Sequence, residues 1–102
     1  MLKDFKVYQL SKEFYQLCKV LKLPRFLKDQ LMRSSSSVAL NIAEGSGKRT
    51  EKDQARFYSI VLGSLRESQA ILDIENIENK KIYALADQLG AILYKLSKIK
   101  KI

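Results

Sequence analysis

Residues 82–99, IYALADQLGAILYKLSKI, carry the pattern that decides the fold class of this chain. Their large apolar side chains recur in steps of 3, 4, 3, 4 and 3 residues, which is the spacing of one face of an α-helix. A half-buried β-strand would alternate apolar and polar side chains, and no stretch of the sequence does so for long enough to indicate one. The spacing therefore predicts a last helix whose apolar stripe comprises Ile82, Leu85, Leu89, Ile92, Leu96 and Ile99.

Helical spacing also predicts two helices in the first half of the chain. The first covers about residues 3–22, and Pro24 ends it because a proline disfavours helical conformation in the residue before it. The second runs from about Arg25 to Ala43, and Gly45 stands where a left-handed C-terminal cap is expected. The residues expected to face inward are Val7, Leu10, Phe14, Leu17 and Leu21, followed by Leu27, Leu31, Ser34, Val38 and Ile42.

A third helix is predicted between these segments and the last one. Residues 50–53, TEKD, have the form of a capping box, in which a threonine side chain accepts a hydrogen bond at the start of a helix. This helix should extend to about Ile74. Helices of this length joined by short turns favour an antiparallel up-down bundle. We therefore expect an all-α fold, with residues 1–102 forming a single four-helix-bundle domain.

The composition excludes several classes of function. The chain has no histidine and one cysteine, Cys18, so it can form neither a typical zinc site nor a disulfide framework. Without histidine there is no Ser-His-Asp or Cys-His arrangement, which removes the commonest nucleophilic hydrolases. We expect a protein that is not an enzyme and that binds no metal or cofactor. Cys18 is interpreted as a small core residue.

The distribution of apolar residues argues against a membrane protein. The longest uninterrupted apolar run covers residues 82–86, whereas a spanning helix needs about 20 residues. Charged side chains interrupt the first six residues, where a secretory signal would be apolar. We expect a cytoplasmic protein without membrane contact.

The charge of the chain is strongly positive and unevenly distributed. The formal net charge is +8, made up of +5 over residues 1–33, −2 over residues 34–78 and +5 over residues 79–102. A basic balance favours polyanionic partners, because binding them releases counterions. Lysine-rich helix faces also keep small bundles soluble, and this alternative accounts for the composition about equally well.

The topology of an up-down bundle suggests where the lysines meet. The first and last helices are neighbours in such a bundle, so their outward lysines should merge into one basic surface. Tyr83 or Tyr94 would add aromatic stacking to it. The candidate nucleic-acid contacts, of which the last two form a second cluster, are Lys12, Lys19, Lys95, Lys98, Lys101, Lys48 and Arg49.

The third helix carries more apolar surface than one bundle can cover. Its large apolar residues point in nearly every direction around the axis, whereas a surface helix needs one stripe. Another chain would have to cover the remainder, so we expect a homo-oligomer. The residues concerned are Phe57, Tyr58, Ile60, Val61, Leu62 and Leu65.

One short segment is superficially similar to a phosphate-binding loop. Residues 45–50 read GSGKRT, but Ile42 stands where the loop motif needs its first glycine and Arg49 where it needs Ser or Thr. A looser anion site remains open, because the free N–H groups at the start of the third helix lie beside Lys48, Arg49 and Lys52. Helix capping is the favoured role of the segment.

Small residues inside two helices predict close helix packing. Residues 34–37, SSSS, lie in helical register between Leu31 and Val38, and they provide small side chains where helices approach. Gly63 and Ser64 are interpreted in the same way, because a glycine inside a helix costs about 1 kcal/mol relative to alanine and needs a packing reason.

Three segments together resemble one known family. They are residues 30–33 (QLMR), 38–47 (VALNIAEGSG) and 57–67 (FYSIVLGSLRE). The combination is similar to the bacterial four-helix-bundle proteins encoded by open reading frames within intervening sequences of 23S ribosomal RNA genes, and it extends from about Val7 to Ile99. Ala39 stands where many members have proline, and the connections around Pro24 and over residues 73–82 are shorter than usual in that family.

The resemblance implies an up-down bundle that assembles as a ring-like homopentamer. Related bundles are accessory proteins of reverse transcriptases in diversity-generating retroelements. Those relatives generally lack the sequence NIAEG, so the branch encoded in ribosomal RNA genes is favoured. The residues of the shared motifs are interpreted as structural, and they are Asn41, Glu44, Gly45, Gly63, Ser64 and Glu67.

Two hypotheses about function remain open. The first is a basic homo-oligomer that binds nucleic acid, RNA in preference to DNA, through its phosphates and with weak base specificity. The second is a protein-interaction scaffold or accessory subunit, for example of a reverse transcriptase. Genomic neighbourhood separates them, because a position inside a ribosomal RNA gene favours the first and an adjacent reverse transcriptase with template repeats favours the second.

Overall fold

The computed structural model describes Leu2 and residues 5–98 of the chain, which form an antiparallel up-down four-helix bundle of about 45 × 24 × 23 Å. Each helix packs against the helices next to it in the sequence, and the first packs against the fourth. The all-α prediction is therefore confirmed. The helices are α1 (Lys6–Lys19), α2 (Arg25–Ser46), α3 (Glu51–Ile74) and α4 (Lys80–Leu96).

Helix α1 ends earlier than its apolar spacing predicts. It stops at Lys19, and the chain runs without helical structure through Leu21 to Pro24. The ammonium group of Lys28 in α2 occupies this end. Its Nζ donates hydrogen bonds to the carbonyl oxygens of Cys18 at 3.3 Å, Lys19 at 2.7 Å and Leu21. A cation placed on the unpaired carbonyls at the end of a helix stabilises that end.

The prediction that Gly45 forms a left-handed cap is wrong. Gly45 lies inside α2, which continues to Ser46, and no described glycine has a positive φ. Its importance comes from packing, because a Cβ at this position would lie 2.9 Å from the Cβ of Phe57 and 3.3 Å from Cε1 of Tyr58. The glycine therefore lets α2 approach α3 closely near the end of the bundle where α3 begins.

The ends of α3 are set by local signals. The Oγ1 atom of Thr50 accepts a hydrogen bond of 3.1 Å from the N–H of Asp53, as the capping motif predicts. At the other end Asn76 has a left-handed φ of 52°, and the N–H groups of Asn76 and Ile77 bond to the carbonyls of Asp73 and Leu72. This is a Schellman motif with asparagine in the position usually held by glycine.

The core follows the predicted stripes closely. Val7 and Phe14 of α1 and the predicted inward residues of α2 beyond Leu27 are buried, and Cys18 is a buried free thiol as predicted. In α4 the fully buried residue near the end is Leu93, and Ile92 is only half-buried. The predicted stripe residue Ile99 lies outside the described residues.

The serine tract packs α2 against α3 as predicted. The Oγ atoms of Ser34 and Ser68 are 2.7 Å apart in the buried interface, and those of Ser37 and Ser64 are 2.9 Å apart. Gly63 does not share this role, because it is exposed and a Cβ there would have no neighbour within 4 Å. The packing prediction for Gly63 is wrong, and no contact within the described residues explains the glycine.

Candidate nucleic-acid interface

The antiparallel arrangement separates the lysines of α1 from those of α4. The Nζ of Lys81, at the start of α4, lies 3.6 Å from Oε1 of Glu13 in α1. From there α4 runs about 21 Å to Lys95 and α1 runs about 9 Å the opposite way to Lys19, at 1.5 Å per residue. About 30 Å along the axis therefore separates Lys19 from Lys95, well beyond the Debye length of about 8 Å at physiological salt.

The predicted merged surface of α1 and α4 lysines is therefore not formed. Lys12 lies half-way along α1, with its Nζ 5.7 Å from the centre of the Tyr8 ring, and it lines a groove toward Leu40 of α2. Lys19 closes α1 at the far end of the bundle. Lys101 lies outside the described residues.

The structure instead brings together two lysine and arginine clusters that were predicted to be separate. Lys95 and Lys98 follow α4 to the end of the bundle where α3 begins, and they line a cleft of about 180 Å³ with Glu51, Gln54 and Tyr58 of α3. The segment that carries Lys48 and Arg49 leads directly into the same turn of α3. We call this the basic end and define it by Lys48, Arg49, Lys52, Arg56, Lys95 and Lys98.

A phenylalanine organises part of the basic end. The Nζ of Lys48 lies 4.9 Å from the centre of the Phe57 ring, and Cζ of Arg56 lies 5.6 Å from it. Gln54 holds the backbone beside them, because its Nε2 donates a 2.9 Å hydrogen bond to the carbonyl of Lys48. Cations over an aromatic face gain about 0.5–1 kcal/mol at exposed sites, so these contacts restrict two otherwise mobile charges.

One of the two candidate stacking residues lies at the basic end. Tyr94 is exposed, and Nζ of Lys98 lies 4.3 Å from the centre of its ring. The hydrogen bond and positive charge of Lys98 lower the pKa of the Tyr94 hydroxyl below its ordinary value. The ring of Tyr94 is thus an aromatic surface with a cation beside it, which is the combination that single-stranded nucleic acids bind.

Tyr83 lies in different surroundings at the opposite end. It lines a cleft of about 630 Å³ together with two carboxylates, Glu78 and Asp87, and one cation, Lys80. Burial, with the negative charge of Asp73 as a smaller cause, raises the pKa of the Tyr83 hydroxyl. Carboxylates around this ring disfavour a polyanion, so the structure separates Tyr83 from the candidate interface.

The charges of the basic end are largely unneutralised. Among the described residues the single ion pair is that between Lys81 and Glu13, although Glu51 and Asp53 lie in the first turn of α3. The described residues contain no group of three His, Cys, Asp or Glu side chains placed to hold a metal ion. The cations of this end are therefore available to an external anion.

Residues of the recognised motif divide into two groups. Asn41 belongs to the contact between α2 and α3, since its Nδ2 donates 3.0 Å hydrogen bonds to the carbonyl and the Oγ of Ser37, which meets Ser64. Glu44 and Glu67 are exposed, and neither makes an ion pair within the described part of the chain. Asn41 and Ser64 therefore take part in hydrogen bonds where α2 meets α3, whereas the two carboxylates form no ion pair within the described residues.

Two residues that line a cleft beside Lys52 were not predicted from the sequence. Arg56 and Ser59 stand four and seven residues after Lys52, so the three share one face of α3. This spacing was visible in the sequence. The cleft that these residues line could not be predicted from the spacing, because Ser97 at the end of α4 completes it.

Comparison with known proteins identifies the family of the chain. The family model of the 23S rRNA-intervening sequence protein matches residues 3–101. The chain belongs to this family. The family assignment confirms the resemblance found in the motif residues, and it agrees with the four-helix architecture. None of the curated proteins compared with the chain matches it. No helix among the described residues of this family member has the length and apolar character needed to cross a membrane.

Proposed function

We propose that this 23S rRNA-intervening sequence protein is a non-enzymatic, homo-oligomeric protein that binds nucleic acid, RNA in preference to DNA, through the basic end. The observation that carries the proposal is the convergence of Lys48 and Arg49 with Lys95 and Lys98 at one end of the bundle. The family's association with the 23S rRNA gene makes ribosomal RNA the first ligand to test.

Electrostatics favours phosphate contacts over base readout. The basic end presents lysines and arginines that have no ion-pair partner among the described residues, and Tyr94 adds one exposed ring. Lysine and arginine contacts to phosphates release counterions and carry no sequence information. The expected behaviour is therefore salt-dependent binding with weak base preference. Lys12 and Lys19 have no place in this interface, because they lie away from the basic end.

Self-association is proposed through the side formed by α1 and α2. Leu40 is 68 % exposed there and borders an apolar groove of about 200 Å³ with Tyr15 and Ala39. Helix α3 exposes less apolar surface than its sequence predicts. Tyr58, Val61 and Leu65 are buried within the chain, and Ile60 is the one exposed residue among the six large apolar residues named for this helix. Five copies, as the resemblance implies, would multiply the charge of +8 per chain.

Fluorescence anisotropy with labelled ribosomal RNA fragments over a salt series tests the binding. We expect affinity to fall steeply between 50 and 200 mM salt, by about tenfold or more for a handful of phosphate contacts. The double variant Lys95→Gln/Lys98→Gln should lose about tenfold in affinity. The matched control Arg25→Gln/Lys80→Gln removes the same charge at the opposite end and should bind nearly as the native protein does. Affinity that does not depend on salt would contradict the proposal.

Light scattering tests the assembly. We expect a particle mass of several times 11.7 kDa, with five copies as the expected number. Leu40→Glu should dissociate it, because a charge on an exposed apolar contact disfavours association and leaves the monomer core untouched. Ile74→Glu is the control, since Ile74 is similarly exposed at 64 % on another face. A native particle of 11.7 kDa would contradict self-association.

A further inference from the structure

One cleft at the basic end has the character of a binding site for a single anion. It lies between the first turns of α3 and the end of α4 and has a volume of about 360 Å³. Its cationic lining residues are Lys52 and Arg56, and its hydroxyl groups come from Ser59 and Ser97. One carboxylate, Asp53, also lines it, so the cleft retains a net positive charge.

The helical spacing directs three of these side chains to one place. Lys52, Arg56 and Ser59 follow each other at intervals of four and three residues in α3, so they lie on one face of the helix. Ser97 is held from the other side as the C-cap of α4, where its Oγ donates a 2.8 Å hydrogen bond to the carbonyl of Tyr94. The Oγ of Ser97 keeps free lone pairs, and its position fixes the far wall of the cleft.

The donors of the cleft are not used inside the chain. The other serines of the described residues bond to backbone carbonyls or to another side chain, as Ser46 bonds to Ala43, whereas the Ser59 hydroxyl has no partner within those residues. Lys52 and Arg56 likewise have no carboxylate within 4.0 Å in the described part of the chain, and Arg56 lies over the face of Phe57. Three unused donors thus converge on one cavity.

We propose that this cleft binds one phosphate group, with Lys52 and Arg56 supplying charge and Ser59 a neutral hydrogen bond. Guanidinium and ammonium groups beside a hydroxyl donor match the several acceptor oxygens of a phosphate better than they match a single-acceptor anion. The proposal rests on the proposed function in one respect, that the phosphate belongs to a nucleic acid. It goes further by placing one phosphate at a defined position rather than on a diffuse basic surface.

Binding of single-stranded RNA by the full-length protein tests the position of the site. We expect Lys52→Gln/Arg56→Gln to lose at least tenfold in affinity and to reduce the salt slope by about 0.7, which corresponds to one phosphate of a single strand that is no longer neutralised. The control Arg25→Gln/Lys80→Gln should lose less than threefold. Equal losses in the two double variants would overturn the site.

A neutral substitution separates a built site from general attraction. Ser59→Ala changes no charge and removes no contact within the described residues, so we expect unaltered stability, an unaltered salt slope and an affinity lower by about tenfold, as for one lost hydrogen bond to a charged group. Ser46→Ala at the same end is the matched control and should bind RNA as the native protein does. An affinity of Ser59→Ala equal to that of the control would overturn the role of Ser59.

Inorganic phosphate, titrated against chloride at equal ionic strength, tests the site without RNA. We expect the amide resonances of Ser59 and Ser97 to shift saturably, and not to shift in Lys52→Gln/Arg56→Gln. This result without any RNA binding would support the site and contradict the proposed function. RNA binding without these shifts, and with no selective loss in the cleft variants, would contradict the site alone.

Two RNA oligonucleotides show whether the cleft binds an internal phosphodiester or a terminal 5′-phosphate. RNA with a 5′-phosphate and RNA with a 5′-hydroxyl should bind equally if the cleft holds an internal phosphodiester. Tighter binding of the 5′-phosphate form, with the gain lost in Lys52→Gln/Arg56→Gln, would place a strand end in the cleft. Equal binding supports the cleft only if Lys52→Gln/Arg56→Gln lowers both affinities, and equal binding that the double variant leaves unchanged would overturn the site.

Discussion

The Oγ atoms of Ser34 and Ser68 lie 2.7 Å apart in the buried interface between α2 and α3. Ser68 also donates a 3.1 Å hydrogen bond to the carbonyl of Ser64 in its own helix, so the hydrogen bonds run from Ser34 of α2 through Ser68 to the backbone of α3. The described residues contain no buried side-chain nitrogen or oxygen without a partner. A polar seam of this kind fixes which residues of the two helices face each other, since sliding would leave buried hydroxyls unpaired.

Single and double alanine variants of Ser34 and Ser68 should measure the interaction energy between the two hydroxyls. We expect a double-mutant cycle of Ser34→Ala and Ser68→Ala, measured by urea unfolding, to give an interaction energy of about 1 kcal/mol. Ser36→Ala is the control, because the Ser36 hydroxyl bonds only to the carbonyl of Arg33 in its own helix. Strictly additive losses for Ser34 and Ser68 would contradict a coupled contact.

Two glycines in helices should respond to alanine with opposite signs. Gly45→Ala places a Cβ 2.9 Å from that of Phe57, so we expect the free energy of unfolding to fall by about 1–2 kcal/mol despite better helix propensity. Gly63→Ala meets no atom within 4 Å and should raise it by up to about 1 kcal/mol. Chemical denaturation of the two variants at low protein concentration measures both effects, and a stabilising Gly45→Ala would contradict the packing role.

The capping role of Lys28 can be isolated in the same way. Lys28→Met keeps the aliphatic length but removes the hydrogen bonds to the Cys18, Lys19 and Leu21 carbonyls, so we expect a loss of about 1–2 kcal/mol in unfolding free energy. Lys22→Met in the neighbouring connection should change stability by less than about 0.5 kcal/mol. Equal effects of the two substitutions would show that Lys28 acts only through general charge.

The thiol of Cys18 should resist ionisation and alkylation at alkaline pH while the protein is folded. Burial raises its pKa from 9.0 to about 12. Above pH 9 the unfolded chain loses this proton while the folded chain keeps it, so the unfolding free energy should fall as pH rises from about 9 toward 12. Urea unfolding between pH 8 and pH 10 should show a steeper decline for the native protein than for Cys18→Ala, and alkylation should require unfolding. Rapid labelling of the folded protein at pH 8 would contradict burial.

The fold could be predicted from the sequence wherever the signals are local. Thr50 marks the start of α3 because its side chain caps the next turn, and a prediction from neighbouring residues suffices for such a contact. Leu93 was missed because a strict alternation of 3 and 4 residues drifts from the true helical period of 3.6. Gly45 was misassigned because its role depends on Phe57, which belongs to another helix.

The candidate site was harder to predict for a related reason. Periodicity shows which face of a helix carries a lysine, but position along the bundle axis depends on the direction in which each helix runs. Lys19 and Lys95 each lie on the outward face of their own helix, but they are at opposite ends of the bundle. Lys48 and Lys95, far apart in the sequence, lie at the same end because α3 begins where α4 finishes.

The order in which the helices pack has a kinetic consequence. The main helix pairings of the described residues join consecutive helices, except that of α1 with α4, which closes the bundle. Proteins built on such short-range contacts fold in microseconds to milliseconds, and long-range closure is expected late. Weakening the α2–α3 seam should therefore slow refolding in stopped-flow chevron plots. Glu13→Gln, which removes the exposed ion pair with Lys81, should leave the refolding rate unchanged and accelerate unfolding only slightly.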